Sequence, residues 1–128
     1  MIDDGKRAGQ PIAPGGAKVV GFDLETGGVV GKVLLNPPVL QPDSHMNDLR
    51  VDLTHGPRGT AYIADSSFGT TPALVFVDLA TGKARRVLAS DRSTQPEPGF
   101  MAFLEGHPLV YEFLITRISS LTGPDGLS

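Results

Sequence analysis

Few residues in this chain of 128 could carry chemistry, and none of them stands in a recognisable catalytic motif. The three histidines, His45, His55 and His107, occur singly beside turn-forming residues and lack the paired spacing of a zinc site. Ser66 and Ser67 lack the flanking glycines of a hydrolase nucleophile, so we expect both in an exposed loop. The chain contains no cysteine and no glycine-rich phosphate-binding motif. Motifs alone therefore point to no reaction.

The asparagine and aspartate at positions 47 and 48 directly precede an apolar alternating segment. Side chains of these two types often accept hydrogen bonds from nearby backbone N–H groups, which would make Asn47 and Asp48 local caps of a strand. Asp43, Asp52 and Asp78 fall at turns or strand ends, where the same local role is expected. The residues alone thus favour a structural role for the acidic side chains.

Composition favours an all-β fold. The 16 glycines and 11 prolines suit many tight turns and are poorly suited to long helices. A net charge of −3 excludes an overall basic field, so neither nucleic acid nor a membrane surface is an expected partner. We interpret Arg85 and Arg86 as a solvated strand edge. No apolar run reaches the roughly 18 residues of a membrane span.

Four short strands separated by turn residues are predicted between Asn47 and Leu88. They cover residues 47–53, 60–65, 73–78 and 83–88, the pattern of one four-stranded antiparallel blade of a β-propeller. Alternation in the third strand places Val75 and Val77 on one face and Phe76 on the other.

The hairpin that begins near Asp23 repeats in the second half of this blade. Phe-Asp-Leu-Glu-Thr-Gly recurs as Val-Asp-Leu-Ala-Thr-Gly, and Asp23 and Asp78 are 55 residues apart. Recurrence of one hairpin at such a period is typical of a repeat fold. We therefore predict a partial propeller of about one and a half blades. Its parts are an N-terminal loop (1–16), the outer hairpin of a preceding blade with its crossover (17–46), a complete blade (47–88), and a linker with the start of a further blade and a divergent tail (89–128).

The segment 109–121 fits two patterns at once. Val110, Leu114 and Ile118 have helical spacing, whereas Tyr111 and Phe113 alternate as in a strand. We predict a short C-terminal helix here.

Several connected stretches resemble the yellow/major royal jelly protein family, including bacterial members described as related to dopachrome-converting proteins or gluconolactonases. They cover about residues 3 to 109, and the clearest are these: Leu74 to Leu88, Asn47 to Asp52, Gly59 to Ser66 and Pro96 to Phe100. The resemblance implies a six-bladed propeller, of which this chain would be a fragment. Relatives are mostly exported, which implies an extracellular or periplasmic location. An incomplete ring would leave sheet edges open, so we expect a chain that is marginally stable or self-associates through those edges.

The same resemblance implies two functions. One is a non-enzymatic module that binds a small molecule or a protein. The other is a metal-dependent, lactonase-type hydrolase, in which Asn47 and Asp48, with Asp65 as a weaker match, would lie around a divalent cation such as Ca²⁺. We expect this isolated chain to be inactive as an enzyme, because such a site needs oxygen ligands from several blades.

Overall fold

The part of the chain that is described forms eleven strands in antiparallel sheets and contains no helix. The computed structural model describes residues 1–7, 10–67, 71–113 and 116–119. Residues 110–113 and 116–119 are described as backbone strands only. The strands are β1 (Ile2–Asp4), β2 (Ala17–Phe22), β3 (Val29–Leu34), β4 (Met46–Asp52), β5 (Thr60–Asp65), β6 (Ala73–Asp78), β7 (Ala84–Val87), β8 (Phe103–Leu104), β9 (His107–Pro108), β10 (Val110–Phe113) and β11 (Thr116–Ser119). None of the described segments is a helix long and apolar enough to cross a membrane.

Strands β4 to β7 form the predicted four-stranded sheet in sequence order, here called sheet B. Its two central strands alternate between buried and half-buried side chains along their whole length. Ile63, Val75 and Val77 are fully buried on one face, which is called the covered face of sheet B. The predicted four-stranded antiparallel pattern is present, over Met46–Val87. Apolar residues at every second position of the central strands bury one face of the pleated sheet.

Strands β1, β2 and β3 form a second sheet, here called sheet A. The loop predicted for residues 1–16 is corrected at its start, since Ile2–Asp4 pairs with Ala17–Val19. A segment of three residues shows too few positions for alternation to be recognised, and its stability comes from pairing with a neighbour distant in sequence. Sheet A is therefore a three-stranded meander, one strand larger than the predicted hairpin.

The two sheets pack face to face around one core. Sheet A contributes Ala17, Val19 and the following Leu35, and sheet B contributes residues such as Ile63 and Val75. The face of sheet A that carries Val19 is therefore also a covered face, and the other face of each sheet is called its open face. Stacked sheets bury apolar side chains between them in this way when neither can bury a face alone.

The two repeated hairpin turns share one hydrogen-bond pattern. The Asp23 carboxylate accepts the Thr26 backbone N–H, and the Asp78 carboxylate accepts the Thr81 N–H in the same way. Backbone bonds from Gly27 and Gly82 return to Asp23 and Asp78, and both glycines have left-handed φ angles of 69° and 70°. Because aspartate, threonine and glycine have the same tasks in both turns, the predicted repeat is present in the structure.

The predicted C-terminal helix is wrong for the residues that are described. Val110–Phe113 and Thr116–Ser119 pair as antiparallel strands, with Tyr111 opposite Ile118. The segment is rich in β-branched and aromatic residues, whose side chains are restricted on a helix and fit a pleated strand. Residues 114, 115 and 120–128 lie outside the described part.

Candidate functional site

A buried polar network lies at the end of β5, around the carboxylate of Asp65. One carboxylate oxygen accepts the backbone N–H groups of His45, at 2.7 Å, and Ser67, at 3.1 Å. The other accepts the Ser44 hydroxyl and the guanidinium of Arg86, both at 2.5 Å. A carboxylate has about four acceptor positions, so all of those on Asp65 are occupied by groups of the protein.

Arg86 reaches this carboxylate from β7, across the covered face of sheet B. Its side chain is 11% exposed and that of Asp65 is 0% exposed. The guanidinium also donates to the carbonyl oxygens of Val39 and Thr71. Arg86 thus connects the outermost strand of sheet B with the two loops at the end of β5.

Burial raises the pKa of Asp65, and the hydrogen bonds from Ser44, Arg86 and His45 lower it by more. The pKa of this carboxyl consequently lies below its ordinary value of 3.8. Asp65 is therefore a charged structural group whose hydrogen-bonding positions are filled. Its lowered pKa is the opposite of the raised pKa that a catalytic acid needs.

Two interpretations from the sequence are corrected by this network. Arg85 is exposed as expected of a strand edge, but Arg86 is largely buried. Ser67 is 1% exposed, and its hydroxyl donates to Asp43. Strand register explains the first correction, because Arg86 is paired with the buried Val75 and must point toward the same face. The signal that could have identified the burial of Arg86 was its spacing from Ala84. Both residues pair with core residues of β6 and lie on the same face.

Asn47 and Asp48 lie on the exposed surface at the start of β4. Register shifts between Met46 and Asp48, which leaves Asn47 as the extra residue of a β-bulge. The Asp48 carboxylate accepts the Leu49 backbone N–H and a bond from Arg50, both at 3.1 Å. The local capping role is therefore present for Asp48.

The predicted metal ligands do not form one oxygen cage. Asn47 and Asp48 are exposed, whereas Asp65 is buried and has its acceptor positions filled. Across the ranges described, no three or more His, Asp or Glu side chains are grouped so that they could hold a metal ion. Since Ca²⁺ takes six to eight oxygen ligands, a site at Asn47 and Asp48 would need ligands beyond these residues.

Two of the histidines have carboxylate partners. His45 Nδ1 lies 2.9 Å from Asp4, so the loop before β4 contacts the end of β1. His55 Nδ1 lies 2.5 Å from Asp52 in an exposed turn that also contains Thr54. Hydrogen bonds from Thr54, with a smaller contribution from His55, lower the pKa of Asp52 to about 2. The Thr54 hydroxyl donates to Asp52 at 2.6 Å and lies 3.2 Å from His55 Nδ1. The lowered pKa makes Asp52 a weak base for this hydroxyl, so the turn does not activate Thr54 as a nucleophile through Asp52.

The open face of sheet B carries a row of large side chains across all four strands. Cross-strand pairing aligns Arg50, Tyr62, Phe76 and Arg85 in that order. The rings of Tyr62 and Phe76 meet edge to face with centroids 4.9 Å apart, and the Arg85 guanidinium lies 4.8 Å above the Phe76 ring. These four residues are called the aromatic row from here on, and its three members Tyr62, Phe76 and Arg85 hold one another in place through these ring contacts.

Antiparallel meanders of four and three strands, stacked face to face around a shared core, are blades of a propeller-type fold. The family model of the major royal jelly proteins matches residues 2–111. The chain belongs to the major royal jelly protein family. No curated protein matches it.

Proposed function

We propose that the protein is a binding module and that the aromatic row on the open face of sheet B is its binding surface. The observation that carries this proposal is the alignment of two contacting aromatic rings across the sheet, with the Arg85 guanidinium on the Phe76 ring and Arg50 opposite Tyr62 on the other side. Tyrosine, phenylalanine and arginine are the residue types enriched at protein interfaces. The row suits a partner, protein or small molecule, that offers an aromatic or apolar group beside an acidic one.

Rigidity supports this assignment. Phe76 is held between Tyr62 and Arg85, and its strand is fixed by the buried Val75 and Val77 on the opposite face. A ligand that binds such a surface orders few side chains, so little conformational entropy is lost on binding. In contrast, the buried carboxylate of Asp65 is occupied by internal bonds and is unavailable to a substrate.

Anilinonaphthalene sulfonate, an aromatic anion, serves as a probe of this surface in a fluorescence titration, with two-dimensional NMR to locate the shifted resonances. Phe76→Ala and Arg85→Gln should each weaken binding about fivefold, which corresponds to the loss of ~1 kcal/mol for a cation–π or stacking contact. Arg58→Gln, in the exposed loop between β4 and β5, is the matched control and should leave the affinity unchanged. Equal affinities for all four proteins would disprove the assignment of the surface.

A second candidate is the metal-dependent, lactonase-type hydrolase, for which Asn47 and Asp48 are the proposed contact residues. The observation in its favour is that both residues are exposed and consecutive at the bulge of β4. Calorimetric titration with Ca²⁺ tests it in the wild-type chain and in Asn47→Ala and Asp48→Ala. The hydrolase proposal requires heat of binding that both variants abolish, and it fails if the wild-type chain gives none.

A further inference from the structure

Strands β2 and β3 of sheet A and strands β6 and β7 of sheet B are repeats of each other. Their residues can be matched one by one beyond the shared turns. Val19 pairs with Val33 in sheet A, and Leu74 pairs with Val87 at the matching positions of sheet B. Counting from Asp23 and Asp78, Val20 matches Val75. On the next strand, one extra residue at the bulge opposite Gly21 and Phe22 brings Lys32 to match Arg86.

Matched residues lie on opposite kinds of face: a residue on the covered face of one sheet matches a residue on the open face of the other. Val19 and Val33 belong to the covered face of sheet A, whereas their matches Leu74 and Val87 lie on the open face of sheet B. Conversely, Lys32 lies on the open face of sheet A, whereas its match Arg86 lies on the covered face of sheet B. Each open face is therefore the repeat of a face that is packed inside this same chain.

The bordering loops follow the same rule. Gln41-Pro42 recurs as Gln95-Pro96, with the spacing of 54 residues that also separates Val33 from Val87. Val39 and Leu40 of the first loop pack against the core beside sheet A. Segment 93–96 of the second loop lines a cleft of about 330 Å³ with Ala64 and Leu74 on the open face of sheet B.

The open face of sheet A carries exposed apolar side chains beside charged ones. Phe22 and Leu34 are 42% and 43% exposed there, Lys32 is exposed between them, and Lys18 forms an ion pair with Asp3 on the same face. The loop that borders the other open face carries Asp91, Arg92 and Glu97, so its net charge of −1 is opposite in sign to that of Lys32. Within the chain, Arg86 donates to the carbonyl of Val39, so Lys32 would meet the matching second loop in the same way.

We propose that the open face of sheet B binds the open face of sheet A of a second copy of this chain, head to tail. This interaction surface would reproduce between copies the stacking of sheets that exists within one copy. Phe22 and Phe76 replace the smaller Val77 and Gly21 of the internal interface, so the contact between copies is richer in aromatic groups. A head-to-tail contact uses two different patches and adds copies to a ring or an open chain. The inference rests on the proposal that the open face of sheet B is a binding surface.

The experiment uses sedimentation velocity and light scattering on the full chain over a range of concentrations. Leu34→Glu disables the open face of sheet A, and Val87→Glu disables the open face of sheet B. Phe22→Glu and Leu74→Glu are second variants for the same faces, and circular dichroism checks that each protein folds. Leu24→Glu, at a turn position that is 98% exposed, is the matched control.

The wild-type chain and Leu24→Glu should associate as concentration rises, and each face variant alone should be a monomer. A mixture of Leu34→Glu with Val87→Glu should form a one-to-one dimer, because each retains the face that the other lacks. Self-association of either variant alone would indicate a symmetric or edge-to-edge contact and overturn the proposal, as would a mixture that stays monomeric.

The two proposals can fail separately. If the wild-type chain is a monomer while Phe76→Ala still weakens binding of anilinonaphthalene sulfonate, then docking of a second copy is refuted and the binding surface stands. If the chain is a monomer and the probe is indifferent to Phe76 and Arg85, both proposals are refuted.

Discussion

The substitution Asp65→Asn tests whether the buried network holds the end of sheet B together. An asparagine amide has the same shape as the carboxylate, and its oxygen can still accept the His45 and Ser67 N–H groups. It cannot neutralise Arg86, whose side chain is only 11% exposed. Breaking a buried ion pair in this way costs about 3–5 kcal/mol of folding free energy, because the remaining charge has lost its compensation.

Urea unfolding followed by far-ultraviolet circular dichroism measures this cost. Low and equal protein concentrations are needed, because association with a second copy would add to the apparent stability. Asp48→Asn is the matched control, since the same chemical change falls on a pair with Arg50 whose side chains are 67% and 79% exposed. That control should change the free energy of unfolding by less than about 1 kcal/mol.

Arg86→Met provides the second step of the test. In the double variant with Asp65→Asn the uncompensated charge is gone, so the protein should be roughly 2 kcal/mol more stable than Asp65→Asn alone. The reasoning is refuted if Asp65→Asn costs under ~1 kcal/mol, or if the two substitutions are fully additive.

The remaining predictions concern the pH dependence of stability, the pKa of Asp52 and the two repeated turns. The pKa of Asp65 is lower in the folded chain than its ordinary value of 3.8, so its contribution is complete above that value and is lost as the pH falls through the folded pKa. Acid titration of stability should therefore show a smaller loss below about pH 4 in Asp65→Asn than in the wild type, and equal losses would contradict this. Thr54→Val should raise the pKa of Asp52 from about 2 toward 3.8, because the Thr54 hydroxyl makes the largest contribution to lowering it; carbon NMR of the carboxyl group reports the shift, and an unchanged midpoint would be the contrary result. Gly27→Ala and Gly82→Ala should each cost about 1–2 kcal/mol in urea unfolding, since alanine is strained at positive φ, and asparagine at either site should cost less. A large cost at only one of the two turns would contradict their equivalence.

Much of the fold could be predicted because it depends on neighbours in sequence. The turn at Asp78 needs only an aspartate, a threonine and a glycine at fixed offsets, and β6 needs only an alternating pattern. The strand Ile2–Asp4 could not be predicted in this way, because three residues show no period and their pairing partner lies 13 or more residues away. The helix predicted near Val110 failed for a related reason, since two periods fitted the same residues and strand pairing decided between them.

The candidate site was predicted less well. Asn47 and Asp48 were identified as polar residues at the start of a strand, and the structure places them at an exposed bulge. The role of Arg86 was missed, since a pair of arginines at a strand end resembles a solvated edge until the register of β7 is known. The alignment of Tyr62 with Phe76 could not be predicted, because it depends on pairing between strands.

Backbone preference and side-chain alternation act over a few residues, so the strands, the turns and their repeat can be predicted from the amino-acid sequence alone. Which face of each sheet is covered, and where the charge of Arg86 is neutralised, follows from the packing of the folded chain. Those outcomes depend on register and on contacts between segments far apart in the chain, such as that of Asp65 with Ser44 and Arg86. The same physical reason applies to the open faces, since a side chain on a strand is exposed or buried according to what packs against its sheet.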